Sequence, residues 1–110
     1  MITIKYIPAE FKVIIQGHAM SDDPGRDLVC AGASALAYTI AANVSMAQNA
    51  EMVKDVVIRL NPGDAEISCK PRKKHREIMD TVYNTVCVGF ALMARDNPNY
   101  ISYEICMGEG

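Results

Sequence analysis

A long alanine-rich helix is predicted between Leu28 and about Gln48. Apolar residues recur over this run close to the helical period, at Val29, Ala33, Leu36, Ile40 and Val44. Alanine favours the helix, and its small side chain allows close packing on a sheet. Because 110 residues can bury one core but not two, we expect a single domain spanning residues 1–110.

Strand-like and turn-like segments surround this helix. The first two strands are predicted at residues 2–7 and 11–18, joined by a turn at 8–10; the next two are predicted at 53–60 and 65–69, joined by a turn at 61–64. A second helix from about Arg72 to Arg95 precedes a last strand at residues 100–106. The order β-β-α-β-β-α-β predicts an α+β fold, in which two helices pack on one face of a mostly antiparallel sheet.

The overall composition indicates a cytoplasmic protein. The first six residues alternate like a strand and lack the features of a signal peptide. No apolar run in the sequence approaches the length of a membrane span, which is roughly 20 residues, so we expect no membrane contact. A formal net charge of −2 does not favour indiscriminate nucleic-acid binding, and we expect no direct contact with nucleic acid.

The four cysteines differ in their surroundings. No two form a Cys-x-x-Cys pair and the chain has only two histidines, so we expect no metal site and no other cofactor. Disulfides are not favoured in a reducing cytosol. Cys69, Cys87 and Cys106 lie in apolar strand-like or helical runs and are predicted to be small buried hydrophobes.

Cys30 is the candidate nucleophile. It lies twelve positions after His18, which is predicted to end the second strand, and near the start of the long helix. With Asp27 as N-cap, Cys30 would lie in the first turn, where unpaired N–H groups and the helix dipole favour a thiolate. A protonated His18 would lower the thiol pKa further and later protonate a leaving amine. Backbone N–H groups near Cys30 would hold an oxyanion, and Ser34 lies one turn further along the same helix face.

Each of these residues also has a purely structural interpretation. A single cysteine near a helix start is usually a small buried residue, and a single histidine at a strand end is usually structural or solvated. Asp27 is most simply a cap, and Ser34 a small residue at a helix–sheet contact. Spacing alone does not decide between the two interpretations.

A joint motif favours the catalytic interpretation. The string Gly17-His18-Ala19, then Gly25, Asp27, Val29-Cys30-Ala31 and Ser34, resembles the Prp family of ribosomal-processing cysteine proteases, and the order of elements extends the resemblance over nearly the whole chain. The resemblance implies a small homodimeric protease with His18 and Cys30 as catalytic dyad and with Asp27, Ser34 and Gly17 in support. Gly32 departs from the family pattern, in which a second alanine commonly follows the cysteine.

The segment between the two candidate catalytic residues is polar and rich in turn formers. The resemblance implies that it orders over bound substrate, as a substrate-binding loop formed by Ala19, Met20, Ser21, Asp22, Asp23, Pro24, Gly25 and Arg26.

The residues and the resemblance together predict a cysteine endopeptidase that acts by thiolate attack and acyl-enzyme hydrolysis. The resemblance implies that it removes a short N-terminal extension from a ribosomal protein precursor. One alternative is a phage-type homologue that processes a capsid or scaffold precursor. Another is a non-enzymatic ribosome-associated module that uses the basic cluster at residues 70–76. A thiol redox sensor is a weaker alternative, because no resolving cysteine lies near Cys30 in sequence.

Overall fold

The computed structural model describes residues 1–18 and 25–107, and the side chains of 1–18 and 28–107. Over those ranges the predicted order of elements is confirmed. The strands are β1 (Ile2–Ile7), β2 (Lys12–Gln16), β3 (Val53–Asn61), β4 (Asp64–Pro71) and β5 (Ile101–Ile105), and the helices are α1 (Gly25–Asn49) and α2 (Arg76–Asp96). Two single-turn 3-10 helices, Pro8–Glu10 and Lys73–His75, precede β2 and α2.

The five strands form one sheet in the order β3-β4-β2-β1-β5. Every pairing is antiparallel except that of β1 with β5. Helix α1 packs over β3 and β4, helix α2 packs over β5, and the two helices contact each other, so both cover the same face. The predicted α+β class is therefore confirmed.

The core lies between this sheet face and the helices. Tyr83 of α2 is fully buried, and its hydroxyl donates a hydrogen bond to the Ile67 carbonyl oxygen at 3.4 Å. The ring of Tyr6 stacks on the Tyr83 ring with 6.0 Å between centroids, and that of Phe11 meets it edge-on at the same distance. The single polar atom of Tyr83 is thus satisfied inside an otherwise apolar layer.

The predicted burial of three cysteines is only partly correct. Cys69 and Cys87 belong to the core, and burial raises the pKa of both thiols, that of Cys87 to about 11. Cys106 follows the end of β5 and is half-buried, so the prediction of a buried Cys106 is wrong. Strand β5 lies at the edge of the sheet and, among the described residues, pairs only with β1, so a residue that follows it is covered from fewer sides.

The described helix extends to Gly25, three residues before the predicted start at Leu28. The predicted N-cap, Asp27, is therefore the third residue of α1 and not its cap. An acidic residue is favoured in the first turn for the same electrostatic reason that favours it at the cap, so its presence alone does not fix the boundary.

By length and composition, the α1 segment from Leu28 to Asn49 is able to cross a membrane, so the prediction that no apolar run approaches that size is wrong. The core helix of a soluble protein passes the same test. In this structure α1 buries one stripe against the sheet, through Val29, Ala33, Ala37, Ile40, Ala41, Val44 and Ala47. One such helix is weak evidence for a membrane span.

Candidate active site

A cleft of about 410 Å³ opens where the end of β2, the turn between β3 and β4 and the early turns of α1 meet. Its lining includes His18, Cys30, Ser34, Tyr38 and Asp64. The fold thus brings the two predicted catalytic residues to one cavity, although one follows a strand and the other lies on a helix. Within the described part of the chain, no hydrogen bond joins the His18 and Cys30 side chains, which is common in a site without substrate.

His18 lies two residues beyond β2 and is exposed to solvent. Its backbone is held from two sides: the Met1 amino nitrogen donates to the His18 carbonyl oxygen at 2.7 Å, and the Gly17 N–H donates to the Gly63 carbonyl oxygen at 3.0 Å. Gly17 has φ +97°, and a Cβ there would overlap the Met1 carbonyl oxygen. A glycine is therefore required before the histidine for a steric as well as a conformational reason.

Gly63 is a site residue that the sequence analysis missed. It belongs to the two-residue turn between β3 and β4, with φ +74°, and a Cβ on it would overlap the His18 ring at Nε2 and Cε1. The imidazole therefore lies directly over the bare backbone of Gly63. The Pro62-Gly63 pair predicted a turn, but no sequence signal connects that turn with a histidine 45 positions earlier.

Cys30 is half-buried and is the sixth residue of α1. The prediction that it lies in the first turn is therefore wrong. At the sixth position the backbone N–H is bonded to the carbonyl four residues earlier, so the Cys30 N–H is not one of the unpaired donors of a helix start.

The other predicted site residues divide into two groups. Ser34 is exposed and lines the cleft one turn after Cys30, as the helical spacing predicted. The predicted loop at 19–26 lies outside the described residues, apart from the helical backbone at Gly25 and Arg26. The Asp27 side chain also lies outside them.

A comparison of the sequence with models of known protein families shows to which family the chain belongs. The sequence model described as cysteine protease Prp matches residues 1–102. The chain belongs to this family. A comparison with curated proteins found no match.

Several solved structures resemble this Prp-family protein. The S. aureus ribosomal processing protease Prp, in complex with a covalently linked product peptide, is 22% identical with a TM-score of 0.71, and the match covers 96% of this chain and all of that one. The same S. aureus protease with a substrate peptide gives 19% identity and a TM-score of 0.69 over the same coverage. SMU.848 from Streptococcus mutans is 18% identical with a TM-score of 0.67, covering 96% of this chain and 92% of its own. These likenesses confirm the fold.

One residue that lines the cleft of this Prp-family protein, Asp64, forms an ion pair with Arg59 of β3. The Arg59 guanidinium donates to both carboxylate oxygens of Asp64, from Nε at 3.0 Å and from a terminal nitrogen at 2.9 Å. This pairing holds the pKa of Asp64 below its ordinary value, with a smaller contribution from a hydrogen bond to Gln16. Because Asp64 follows Gly63 directly, the bidentate pair fixes the turn on which the His18 ring lies.

Among the residues that the structure describes, no group of three or more His, Cys, Asp or Glu side chains is arranged to hold a metal ion. The polar side chains that line the cleft include the Cys30 thiol, the His18 imidazole, the Asp64 carboxylate and the hydroxyls of Ser34 and Tyr38.

Proposed function

We propose that this Prp-family member is a cysteine endopeptidase in which Cys30 is the nucleophile and His18 the acid–base partner. The observation that carries the proposal is that both side chains line one cleft in a chain of a cysteine protease family. Cys30 is half-buried in that cleft, whereas Cys69 and Cys87 are buried in the core with raised pKa values. Reactivity depends on the thiolate, so the cleft cysteine is the better nucleophile.

The reaction follows from these two groups. The Cys30 thiolate bonds to the scissile carbonyl carbon, and the carbonyl oxygen becomes an oxyanion. As this intermediate collapses, the C–N bond breaks and the His18 imidazolium gives its proton to the leaving amine, so a thioester remains. Neutral His18 then takes a proton from water as the water attacks the thioester carbon. The C–S bond breaks, which releases the carboxylic acid product and restores the thiolate.

We propose a ribosomal protein precursor as the substrate, from which a short N-terminal extension is removed. The support is that the S. aureus relative with the same fold is a ribosomal processing protease, crystallised with peptides. We further propose that the segment 19–24 before α1 binds the substrate segment and that Gly17, Asp27 and Ser34 support the dyad. A phage capsid or scaffold precursor is the alternative substrate.

The test is cleavage of the ribosomal precursor from the same organism by wild type, Cys30→Ala and His18→Ala. Cys30→Ala should abolish cleavage, because no thioester forms. His18→Ala should lower the rate by about 10²- to 10⁴-fold, because the proton transfers are lost. Cys106→Ala and His75→Ala are the matched controls, since they remove the same groups outside the cleft, and they should cleave like wild type.

Equal cleavage by wild type, Cys30→Ala and His18→Ala would refute the proposed dyad. A parallel reaction with a phage capsid precursor separates the two substrate classes. Cleavage of the capsid precursor alone would replace the ribosomal assignment and leave the dyad standing.

We also propose that the protein is a homodimer in the cytoplasm. The sheet ends in two edge strands, β3 and β5, and β3 exposes the large apolar side chains of Val57, Ile58 and Leu60. Exposed apolar edge strands favour pairing with another chain. The solution mass should be twice the 12.0 kDa of one chain, measured by light scattering. A mass of 12.0 kDa at micromolar concentration would refute the dimer.

A further inference from the structure

A second cleft, of about 540 Å³, lies far from the candidate active site and is lined almost wholly by cations. Its lining residues are Lys54, Lys70, Pro71, Arg72, Lys73 and Arg76, which we call the basic cleft. The active-site cleft lies at the Asp64 end of β4 and the basic cleft at the Pro71 end. At about 3.3 Å per residue, the length of this strand separates them by roughly 23 Å. The basic cleft is therefore not part of the peptidase site.

The arrangement of charge in the basic cleft opposes folding. Lys54 and Lys70 are directly opposite each other in the β3–β4 register. Like charges at directly opposed positions of an antiparallel pair destabilise the sheet. Neither lysine forms an ion pair with a carboxylate among the described residues. Fold stability thus does not explain two lysines at this pair of positions.

A second part of the cleft opposes folding for a different reason. Lys73 lies just before α2 and Arg76 begins it, at the end where the helix dipole is positive. The N-cap residue, His75, makes no side-chain capping hydrogen bond, and Glu77 is the acidic residue of the first turn. Positive charge at this end is unfavourable unless an anion binds there.

Hydrogen bonds orient the Arg72 side chain in a way that leaves it able to bind such an anion. Its Nε donates to the Glu51 carbonyl oxygen at 2.8 Å, and its backbone N–H donates to the Met52 carbonyl oxygen at 2.9 Å. Within the described residues, its two terminal nitrogens donate to no other group. The guanidinium is thus oriented by the protein, while the edge formed by its two terminal nitrogens stays available to an anion.

The composition of the cleft identifies the class of anion. Protein–protein interfaces contain few lysines and are anchored by aromatic side chains, and single-stranded nucleic acid is held by stacking on aromatic rings. The basic cleft contains three lysines, two arginines, one proline and no aromatic residue. We propose that it binds the phosphate backbone of a double-stranded nucleic acid without reading sequence. The net charge of −2 argued against nucleic acid, but the formal sum conceals this local concentration.

The test measures binding of the whole protein to an RNA hairpin of about 16 base pairs and to the DNA hairpin of the same sequence, between 50 and 200 mM salt. Wild type should bind one or both with a Kd on the order of 10⁻⁴ to 10⁻⁶ M, and the affinity should fall steeply with salt. Tighter binding of the RNA hairpin would identify RNA as the natural source of the backbone.

The decisive variant is Lys54→Ala/Lys73→Ala, compared with Lys5→Ala/Lys74→Ala. Both remove two lysines, but Lys5 and Lys74 do not line the basic cleft. The first variant should reduce the slope of log affinity against log salt by about 2, and the second should leave it unchanged. Both should keep at least the wild-type midpoint of urea unfolding, which shows that each variant is folded whether or not the protein is an active peptidase.

Four outcomes would overturn the proposal. The first two are that neither hairpin binds at 50 mM salt, and that both double variants lose the same amount of slope. The third is that single-stranded RNA binds as tightly as the hairpins. The fourth is that polyglutamate binds more tightly than either hairpin. The last would assign the cleft to an acidic protein segment. None of these outcomes depends on whether the dyad is active.

Discussion

At the scale of single residues, the candidate site depends on two positions where no side chain fits. Gly17 turns the chain against Met1, and Gly63 leaves the space that the His18 ring occupies. The imidazole is therefore placed by backbone atoms rather than by a hydrogen-bonding side chain. Such a position tolerates little change, because an added methyl group displaces the proposed acid–base ring itself.

Gly63→Ala should reduce cleavage by about 10²-fold, because its Cβ overlaps the His18 ring and moves the imidazole away from Cys30. The positive φ adds a conformational cost of about 1–2 kcal/mol to folding. Steady-state cleavage and urea unfolding measure the two effects separately.

Gly32→Ala is the matched control for that substitution. Its Cβ meets only the flexible end of Met93, at 2.9 Å from Cε, and the helix gains up to about 1 kcal/mol of intrinsic stability. It should retain wild-type cleavage. If Gly63→Ala cleaves as well as Gly32→Ala, the position of the His18 ring does not depend on Gly63.

At the scale of elements, α1 performs two tasks on two parts of its length. Its early turns carry Cys30 and Ser34 to the cleft, and the stripe through Ile40 and Val44 buries against the sheet. The alanines on that stripe allow the helix to approach the strands closely. The helix is thus the rigid element that positions Cys30, the proposed nucleophile, in the cleft.

Ile40→Ala should lower the free energy of unfolding by about 2–5 kcal/mol, because the side chain is fully buried and its removal leaves a cavity. Met46→Ala on the same helix is the control. That side chain is 68% exposed, and its loss should change stability by no more than about 0.5 kcal/mol. Urea denaturation measures both. Equal effects would contradict the packing of α1 on the sheet.

At the scale of the whole molecule, the sheet order brings distant segments together. Strand β2 lies between β1 and β4, so the chain after β2 meets both Met1 and the β3–β4 turn. The same layer structure buries Cys69, Cys87, Tyr6 and Tyr83 between the sheet and the helices. Burial raises the pKa of each of these groups, that of Tyr6 to about 12.

The raised pKa values predict that the folded protein becomes less stable at alkaline pH. The Cys87 thiol has an ordinary pKa of 9.0 and a folded-state pKa of about 11. Between pH 9 and 11 the unfolded chain gives up this proton while the folded chain keeps it, so the free energy of unfolding falls as pH rises. Cys87→Ala should flatten this decline relative to wild type, and Cys106→Ala should not. The same slope in wild type and in Cys87→Ala would contradict the assignment.

The sequence by itself determined the order of elements, the α+β class and the pair of residues to examine, because periodicity, turn residues and the motif around His18 and Cys30 are local. Helix boundaries were less certain, since an acidic residue suits the cap and the first turn equally, and α1 begins before Asp27. Only the tertiary structure placed Gly63 under the His18 ring and Lys54 opposite Lys70. The first contact joins residues 45 positions apart, and the second depends on the register of the β3–β4 hairpin, which the turn residues alone do not specify.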